Sequence, residues 1–417
     1  MWAVILFWIL LGLAVAQALL GLAFLGTLRR ARPASTEAAP CVKTAVILCL
    51  RGSDPSLPAC LEGILHQDYP HYDVRIVVDS LDDPAWETVE RVVARSGVVN
   101  VHVRPLTDRR PTCSLKCSSL LQAISELDGS YEIVALIDAD IVPHRTWLRD
   151  LVAPLREDRV AVAAGNRWYM PASLSWASLM RWLWNAAAVV HMYWYRIPWG
   201  GSLALRMSAF RQGRLQERWA HSFGEDTMLY SVFRRLGHRV AFVPSLMMVN
   251  REDCSVASFY GWVRRQLFTT RLNHPAWTLV AGHGLAVSLA QGIGMVALIV
   301  AAIAKDGPAV GWLLAGLGLY WSVMAGLLIA METGVRRVLA ARGEPTAWLK
   351  VSDLFRVGIA MLLTQAIYLA ALVCALGLRQ VDWRGIRYRT QGRGQIRMER
   401  YEPYTGQAEP EWTSQSL

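Results

Sequence analysis

The sequence predicts an α/β domain, with a parallel sheet and crossover helices, joined to a membrane by transmembrane α-helices. Three observations predict it. Hydrophobic residues make up 53% of the chain, above the roughly 45–50% of an average soluble domain, and the excess is gathered into a few long apolar runs. Between about residues 42 and 250, short β-rich runs alternate with helical stretches, the pattern of strands joined by crossover helices. Basic residues cluster beside the apolar runs, as expected for contact with anionic lipid headgroups.

The first run, Trp2 to Leu25, carries no charge, and about 20 such residues span a bilayer. Ala16-Gln17-Ala18 has the small-x-small form of a cleavage site. No basic segment precedes the run, however, and apolarity continues past Ala18, so residues 1–28 are expected to be an uncleaved anchor. Arg29, Arg30 and Arg32 follow, which by the positive-inside rule puts the next segment in the cytoplasm. Residues 31–40 read as a linker. A soluble domain over 42–272 comes next. Thr44–Leu50, Val74–Val78, Val99–Arg104 and Ile133–Ile137 read as strands, with helical stretches such as Ala85–Arg95 and Cys117–Leu127 between them. Within this domain, 174–199 holds five tryptophans with Arg181 and Arg196. It is expected to be an interfacial helix, because Trp and Arg favour the headgroup layer; an aromatic core helix is the plain alternative.

Three further apolar runs, Leu279–Ile303, Val310–Met331 and Val357–Leu378, predict C-terminal transmembrane helices over 278–378. The loop 332–352 carries Arg336, Arg337, Arg342 and Lys350, again a cytoplasmic signature. Three spans starting from a cytoplasmic domain would leave the C-terminus outside, yet 379–400 is strongly basic. Either one run is re-entrant or the basic tail is external. Residues 401–417 are polar and expected to be disordered.

The net charge of +10 comes without zinc-finger spacing, basic-zipper heptads or an RNA-recognition signature, so nucleic acid is not the expected partner. The seven cysteines are scattered, and Cys113 and Cys117 do not make a CxxC pair; reduced core thiols are expected. The chain has no Walker loop, no G-x-S-x-G elbow and no HExxH.

Four acidic sites stand out. Asp79, with Asp82 and Asp83, follows the strand RIVV, and ligands of open α/β sheets bind outside strand carboxyl ends. Such groups can accept hydrogen bonds from a base and a ribose, or simply cap a turn. Asp138 and Asp140, in VALIDADIVP, can both reach one hard cation; Mg²⁺ or Mn²⁺ prefers oxygen ligands and adds substrate phosphate oxygens. Glu225-Asp226, in SFGEDTMLY, could supply a general base that takes a proton from an acceptor hydroxyl, or could be acids opening a helix. Glu252 and Asp253, in VNRED, read as a solvated turn. Cations for a diphosphate leaving group could come from Lys116 and from Arg264, Arg265 and Arg271; headgroup contact is the alternative for the arginines.

In this order the motifs become recognisable. The chain resembles family-2 type glycosyltransferases of the GT-A fold, a Rossmann-like mixed sheet, and within them the ceramide glucosyltransferase-like branch that includes bacterial hopanoid-associated members. The resemblance runs from about 44 to 272, with a patch near 383–389. RGSDPSLPACLEGILHQDYPHYDVRIVVDSLDDPAWE resembles the opening of that branch, DAD the DxD slot, GED the slot of the catalytic acid, and VDWRGIRYR the tail after the last membrane segment. The resemblance implies that Asp79 and Asp82 or Asp83 bind the nucleoside and Lys116 supports the nucleotide. It implies that Asp138 and Asp140 hold diphosphate and metal, and that Asp226 is the base with Glu225 beside it. The family's (Q/R)xxRW motif is only partly kept, as Trp262-Val263-Arg264-Arg265-Gln266: Arg265 matches, while Trp262 and Gln266 depart. The implied activity is an inverting hexosyltransferase that uses a nucleotide-sugar, a UDP-hexose, with Mg²⁺ or Mn²⁺, and glycosylates a membrane lipid from the cytoplasmic face of a bacterial inner membrane. The alternatives are a processive polysaccharide synthase and a non-catalytic membrane scaffold or transporter. A transporter would carry ionisable residues within its spans, whereas the runs after 279 hold only His283, Gln291 and Gln365 as larger polar groups.

Overall fold

The computed structural model describes residues 1–31, 42–346, 353–392 and 394–404. The linker, part of the loop before the last apolar helix, and the end of the polar tail lie outside the described residues. A seven-stranded sheet forms the centre of the domain. Its strands are β1 (Thr44–Leu50), β2 (Tyr72–Val78), β3 (Val101–Pro105), β4 (Ile133–Ile137), β5 (Val160–Tyr169), β6 (Ser202–Arg206) and β7 (Arg239–Asn250), in the order β3-β2-β1-β4-β6-β5-β7. β1 to β4 are mutually parallel, but β6 runs antiparallel to both neighbours. The sheet is therefore mixed, as the resemblance implied, and not wholly parallel as strand–helix alternation alone suggested. Every residue of β1 and β4 is buried, which is why both read as unbroken apolar runs. The chain moves outward from β1 to β2 and β3, then returns to the other side of β1 as β4. That reversal opens a crevice at the carboxyl ends of β1 and β4.

The N-terminal anchor is α1 (Trp2–Arg29); in the domain follow α2 (Leu57–Leu65), α3 (Pro84–Ser96), α4 (Leu115–Ser125), α5 (Trp147–Val152), α6 (Trp176–Tyr195), α7 (Met207–Gln212), α8 (Leu215–Trp219), α9 (Leu229–Arg235) and α10 (Val256–Asn273). Local chemistry sets their ends. For α3, the Asp83 carboxylate accepts from Ala85 N–H, Pro84 takes the first helical position, and Gly97 closes the helix at φ 66°; each is the residue type that position favours. Four of the seven cysteines are buried thiols in this domain, and the described cysteines are all free.

Three long helices follow: α11 (Trp277–Ile303), α12 (Gly307–Ala341) and α13 (Leu354–Gly377). With α1 they make four helices long and apolar enough to cross a membrane. α1 lies along α12, where Gly316 faces Phe7 and Leu10 and Gly334 faces Leu25 and Leu28; small residues permit such close approach between membrane helices. At 35 residues, α12 is about 52 Å long at 1.5 Å per residue, well beyond a hydrocarbon core of about 30 Å. It does not end at Met331, where the apolar run stops. Its last turns carry buried Glu332 and Arg336, paired at 2.6 Å, into the α/β domain. There Glu332 accepts from the indoles of Trp168 (2.8 Å) and Trp182 (3.2 Å). The ionisable pair that the apolar-run count left in a loop thus bolts a membrane helix to the sheet.

α6 lies between the sheet and the long helices. Asn185 donates to the Arg167 carbonyl on β5 (2.8 Å) and Trp194 to the Leu20 carbonyl on α1 (3.1 Å). Its middle is buried, while Trp176 and Trp194 near its two ends are exposed. α13 runs alongside α10 and α6. Near its start, Arg356 lies over the Trp176 ring (5.5 Å); at its end, the Leu376 and Leu378 carbonyls accept from Arg271 at the end of α10. Both ends of α13 therefore meet the α/β domain. The basic tail then forms an antiparallel sheet of β8 (Gln380–Trp383), β9 (Ile386–Gly392) and β10 (Gln395–Arg400). Val381, Trp383, Ile386, Tyr388 and Ile396 join the domain core beside Phe223 and Phe268, and the arginines alternate outward.

Candidate active site

Four sequence-predicted residues converge where β4 ends. Asp138 is the first residue beyond the strand, Glu225 and Asp226 lie in the loop before α9, and Lys116 stands on α4. The Lys116 ammonium bridges Asp138 Oδ1 (2.6 Å) and Glu225 Oε1 (2.9 Å). Burial opposes its charge, but the two carboxylates hold it protonated. The 222–226 loop is fixed from below: Trp219 donates to the Glu225 carbonyl (3.0 Å) and Ser222 to the Gly224 carbonyl (2.7 Å). Asp226 turns back to Gly200, whose N–H donates to its Oδ2 (2.9 Å). A Cβ on Gly200 would collide with the Glu225 carboxylate, and one on Gly201 with Asp138 and the Trp199 ring. The glycine pair is thus the floor against which the acids rest.

Asp226 retains partial exposure on the side of an internal cavity. Its surroundings push its pKa up to about 7: burial is the largest cause, the Glu225 charge adds to it, and the Gly200 N–H and Lys116 oppose it. A carboxylate poised near neutrality suits proton abstraction.

Asp140 has partners of its own. Its Oδ2 accepts from Asn250 (3.0 Å) and lies 3.8 Å from the Arg167 guanidinium. Glu252 is next to it. The VNRED segment is not the solvated turn the sequence suggested: Glu252 is half-buried, and burial followed by the charges of Asp140 and Asp54 raises its pKa to about 7. Its Oε1 is buried without a hydrogen bond among the described residues. Asp253 does face outward, and accepts from Ser173 N–H and Ser178 Oγ. Asp140 and Glu252 offer carboxylate oxygens of the kind a hard divalent cation prefers. No three His, Cys, Asp or Glu side chains among the described residues could enclose one, so such an ion would take oxygens from its substrate, as Mg²⁺ commonly does.

The residues expected at the nucleoside lie at the other lip of the crevice. Asp79 is fully buried and accepts from Arg51, from Arg109 Nε (3.0 Å) and from the Tyr401 hydroxyl (3.0 Å). Asp83 caps α3 and also accepts from Gly52 N–H (2.9 Å). Asp82 is exposed. The tail closes over this lip: Arg384 donates to the Arg51 carbonyl and to Asp54, Arg51 donates to the Glu402 carbonyl, and the Tyr404 ring abuts Gly52. The 383–389 patch thus meets the opening motif, although the two are over 300 residues apart in sequence.

Arg265 lies between the two lips, buried, with the Trp383 ring 4.6 Å from its guanidinium. Burial, then the nearby charges of Arg167 and Arg384, lowers its pKa to about 10. Arg265 and Arg167 on the cavity wall, with the Arg384 charge felt nearby, form a cationic side suited to a diphosphate. Of these only Arg265 stands out in the sequence. Arg264 and Arg271 lie elsewhere, over the Tyr260 ring and against the end of α13. Where the partial (Q/R)xxRW motif has Gln266 in place of Trp, Trp383 of the tail supplies an indole against Arg265.

A cavity of about 300 Å³ begins at Lys116, Asp138 and Asp226 and extends among α1, α6, α10, α11, α12 and α13. Its walls are largely apolar, and it joins the acids to the membrane helices.

A model of Glycosyl transferase family 21 matches residues 6–396. The chain belongs to that family. It is 25% identical over 95 residues to a ceramide glucosyltransferase of Komagataella phaffii, covering 22% of this chain and 18% of that protein; the match spans under a fifth of the relative's length. Among solved structures, a mannosyltransferase of Pyrobaculum calidifontis in complex with GDP-Man and Mn²⁺ aligns at 18% identity and TM-score 0.47, over 89% of this chain and 99% of that one. A glucosyl-3-phosphoglycerate synthase of Mycobacterium tuberculosis aligns at 17% identity and TM-score 0.38, over 57% and 84%.

Proposed function

We propose that this family 21 member transfers a hexose from a nucleotide-sugar, a UDP-hexose, to a hydroxyl of a membrane lipid, with inversion at the anomeric carbon. The observation that carries the reading is Asp226: a carboxylate raised toward neutrality, at the mouth of an apolar cavity that leads into the membrane helices. A base so placed serves an acceptor that arrives from the lipid side. The likeness to a ceramide glucosyltransferase supports a lipid acceptor.

In the proposed reaction Asp226 takes the proton of the lipid hydroxyl. The oxygen forms a bond to the anomeric carbon, and the bond from that carbon to the phosphate oxygen breaks on the opposite side, its electron pair leaving with the nucleoside diphosphate. Gly200 N–H holds one Asp226 oxygen so that the other faces the acceptor. Arg265, Arg167 and Arg384 receive the charge on the leaving diphosphate. Asp138 and Asp140 would hold Mg²⁺ or Mn²⁺, which would draw further charge from the diphosphate. Asp79, Asp82 and Asp83 form the proposed nucleoside lip, with Asp79 acting through the Arg51 and Arg109 guanidiniums it fixes. In this reading the domain faces the cytoplasm of a bacterial inner membrane; the arginines after α1 support the orientation.

Calorimetry and turnover on Asp226→Asn test the base. Nucleoside-diphosphate affinity is expected to stay within about twofold of the unmodified protein while transfer to lipid is lost; transfer at the unmodified rate would end the assignment.

A further inference from the structure

The segment that follows β10 lies across the lip where a nucleoside is expected. β10 ends at Arg400, and residues 401–404 run on without helix or strand. Their two tyrosine rings meet the guanidiniums at this lip. The Tyr401 ring stands over Arg51 (5.1 Å) and Arg109 (4.7 Å), and the Tyr404 ring stands over Arg51 (5.7 Å) and against Gly52. Between the rings the Glu402 carbonyl accepts from Arg51, and the Tyr401 hydroxyl donates to Asp79 Oδ2 (3.0 Å). Under this cover Asp79 is 0% exposed and Arg51 1%. The cavity that begins at Asp138 and Asp226 stops short of the lip: neither Arg51 nor Asp79 lines it. A flat base brought here would find a tyrosine ring already on each guanidinium.

On the reading that this lip takes the nucleoside of a nucleotide-sugar, we propose that residues 401–404 are a strap that occupies the base position, and that the nucleobase binds by displacing it. The exchange is of like for like. Tyrosine rings and nucleobases both stack on an arginine guanidinium, and a carboxylate accepts from a base N–H as it does from a hydroxyl. What is displaced is lightly held. The tail sheet is seated in the core through Trp383, Tyr388 and Ile396, whereas Glu402 and Pro403 are exposed and the two tyrosines half-buried. Residues 401–404 can lift from the end of β10 while β8 to β10 stay in place. A ligand whose site is open for a fraction of the time binds more weakly by that fraction, so the strap sets the affinity for nucleotide. The competition is with the base: a diphosphate held at Arg265 and Arg167 asks for neither Arg51 nor Arg109.

The test is calorimetry on the full chain in nanodiscs with Mg²⁺, titrating uridine diphosphate and, separately, inorganic pyrophosphate. Tyr401→Ala combined with Tyr404→Ala is expected to tighten uridine diphosphate by about tenfold, as for a site otherwise open about a tenth of the time, and to leave pyrophosphate affinity unchanged. Tyr401→Phe, which keeps the ring and loses one hydrogen bond, should give part of the gain. Unchanged or weaker uridine diphosphate binding in the double variant overturns the proposal, and so does equal tightening of both ligands, since the base would then not be what competes. Pyrophosphate affinity reports that the variants are folded. Hydrogen exchange on the unmodified protein needs no substitution: the amides of 401–404 should exchange faster when uridine diphosphate is added and not when pyrophosphate is. Slower or unchanged exchange with uridine diphosphate overturns the strap while leaving the transferase reading in place. No binding of uridine diphosphate by any variant sinks the UDP-sugar reading, and the strap with it.

Discussion

At the residue scale the proposed reaction rests on proton affinity. Asp226 must be ionised to act, and its pKa is raised to about 7, so kcat/KM for transfer is predicted to fall about tenfold per pH unit below neutrality. The same shift has a consequence for folding. A carboxyl whose folded pKa lies above its unfolded value stabilises the fold at low pH, and that contribution is lost as pH rises through the folded pKa. Replacing Asp226 by Asn is therefore predicted to raise Tm more at pH 8 than at pH 5, which thermal melts at the two values check. Asp138 stood out in the sequence because a charged side chain directly after a buried strand is a poor structural choice, while Lys116, Glu225 and Asp226 were singled out with open structural alternatives, and the fold brings all four together. Glu252 did not stand out, because NRED has the composition of a solvated turn; only the fold brings Asp140 and Asp54 against it. Asp83 illustrates ambiguity of the other kind: one side chain serves as helix cap and as neighbour of the expected nucleoside lip, and sequence gives both readings equal footing.

At the scale of elements, two attachments hold the site together. Glu332 on α12 accepts from two indoles of the α/β domain and pairs with Arg336. Glu332→Ala strands a buried guanidinium and two indole N–H groups, and is predicted to cost on the order of 3 kcal/mol, read as a fall in Tm. The tail is fastened by a weaker bond: Tyr401→Phe removes one hydrogen bond to Asp79 and is predicted to cost about 1 kcal/mol. The strands were legible where burial on both faces leaves an uninterrupted apolar run, as in β1 and β4. The antiparallel direction of β6 was not, since SLALR reads alike in either direction.

At the scale of the whole molecule, the contacts at both ends of α13 bear on the conflict between span count and charge. We propose that α1 crosses the membrane once, that α11 and α12 cross out and back, and that α13 stays on the face of the catalytic domain. The basic tail then shares that face, as its packing against Phe223 and Phe268 requires. Cysteine labelling in oriented vesicles checks this. A cysteine placed at Gln380, exposed on the tail sheet, should react with impermeant reagent from the same side as one placed at exposed Glu157 in the domain; labelling from opposite sides would restore three spans.

The most direct measurement of the central claim is nucleoside-diphosphate release by the purified chain in nanodiscs, given UDP-hexoses and Mg²⁺ or Mn²⁺, with and without an extract of membrane lipids, and with mass spectrometry of the lipids afterwards. The account predicts release that depends on added lipid, is lost on chelation and in Asp226→Asn, and is matched by lipids heavier by one hexose. Release that needs no lipid, accompanied by a growing polymer, would contradict it.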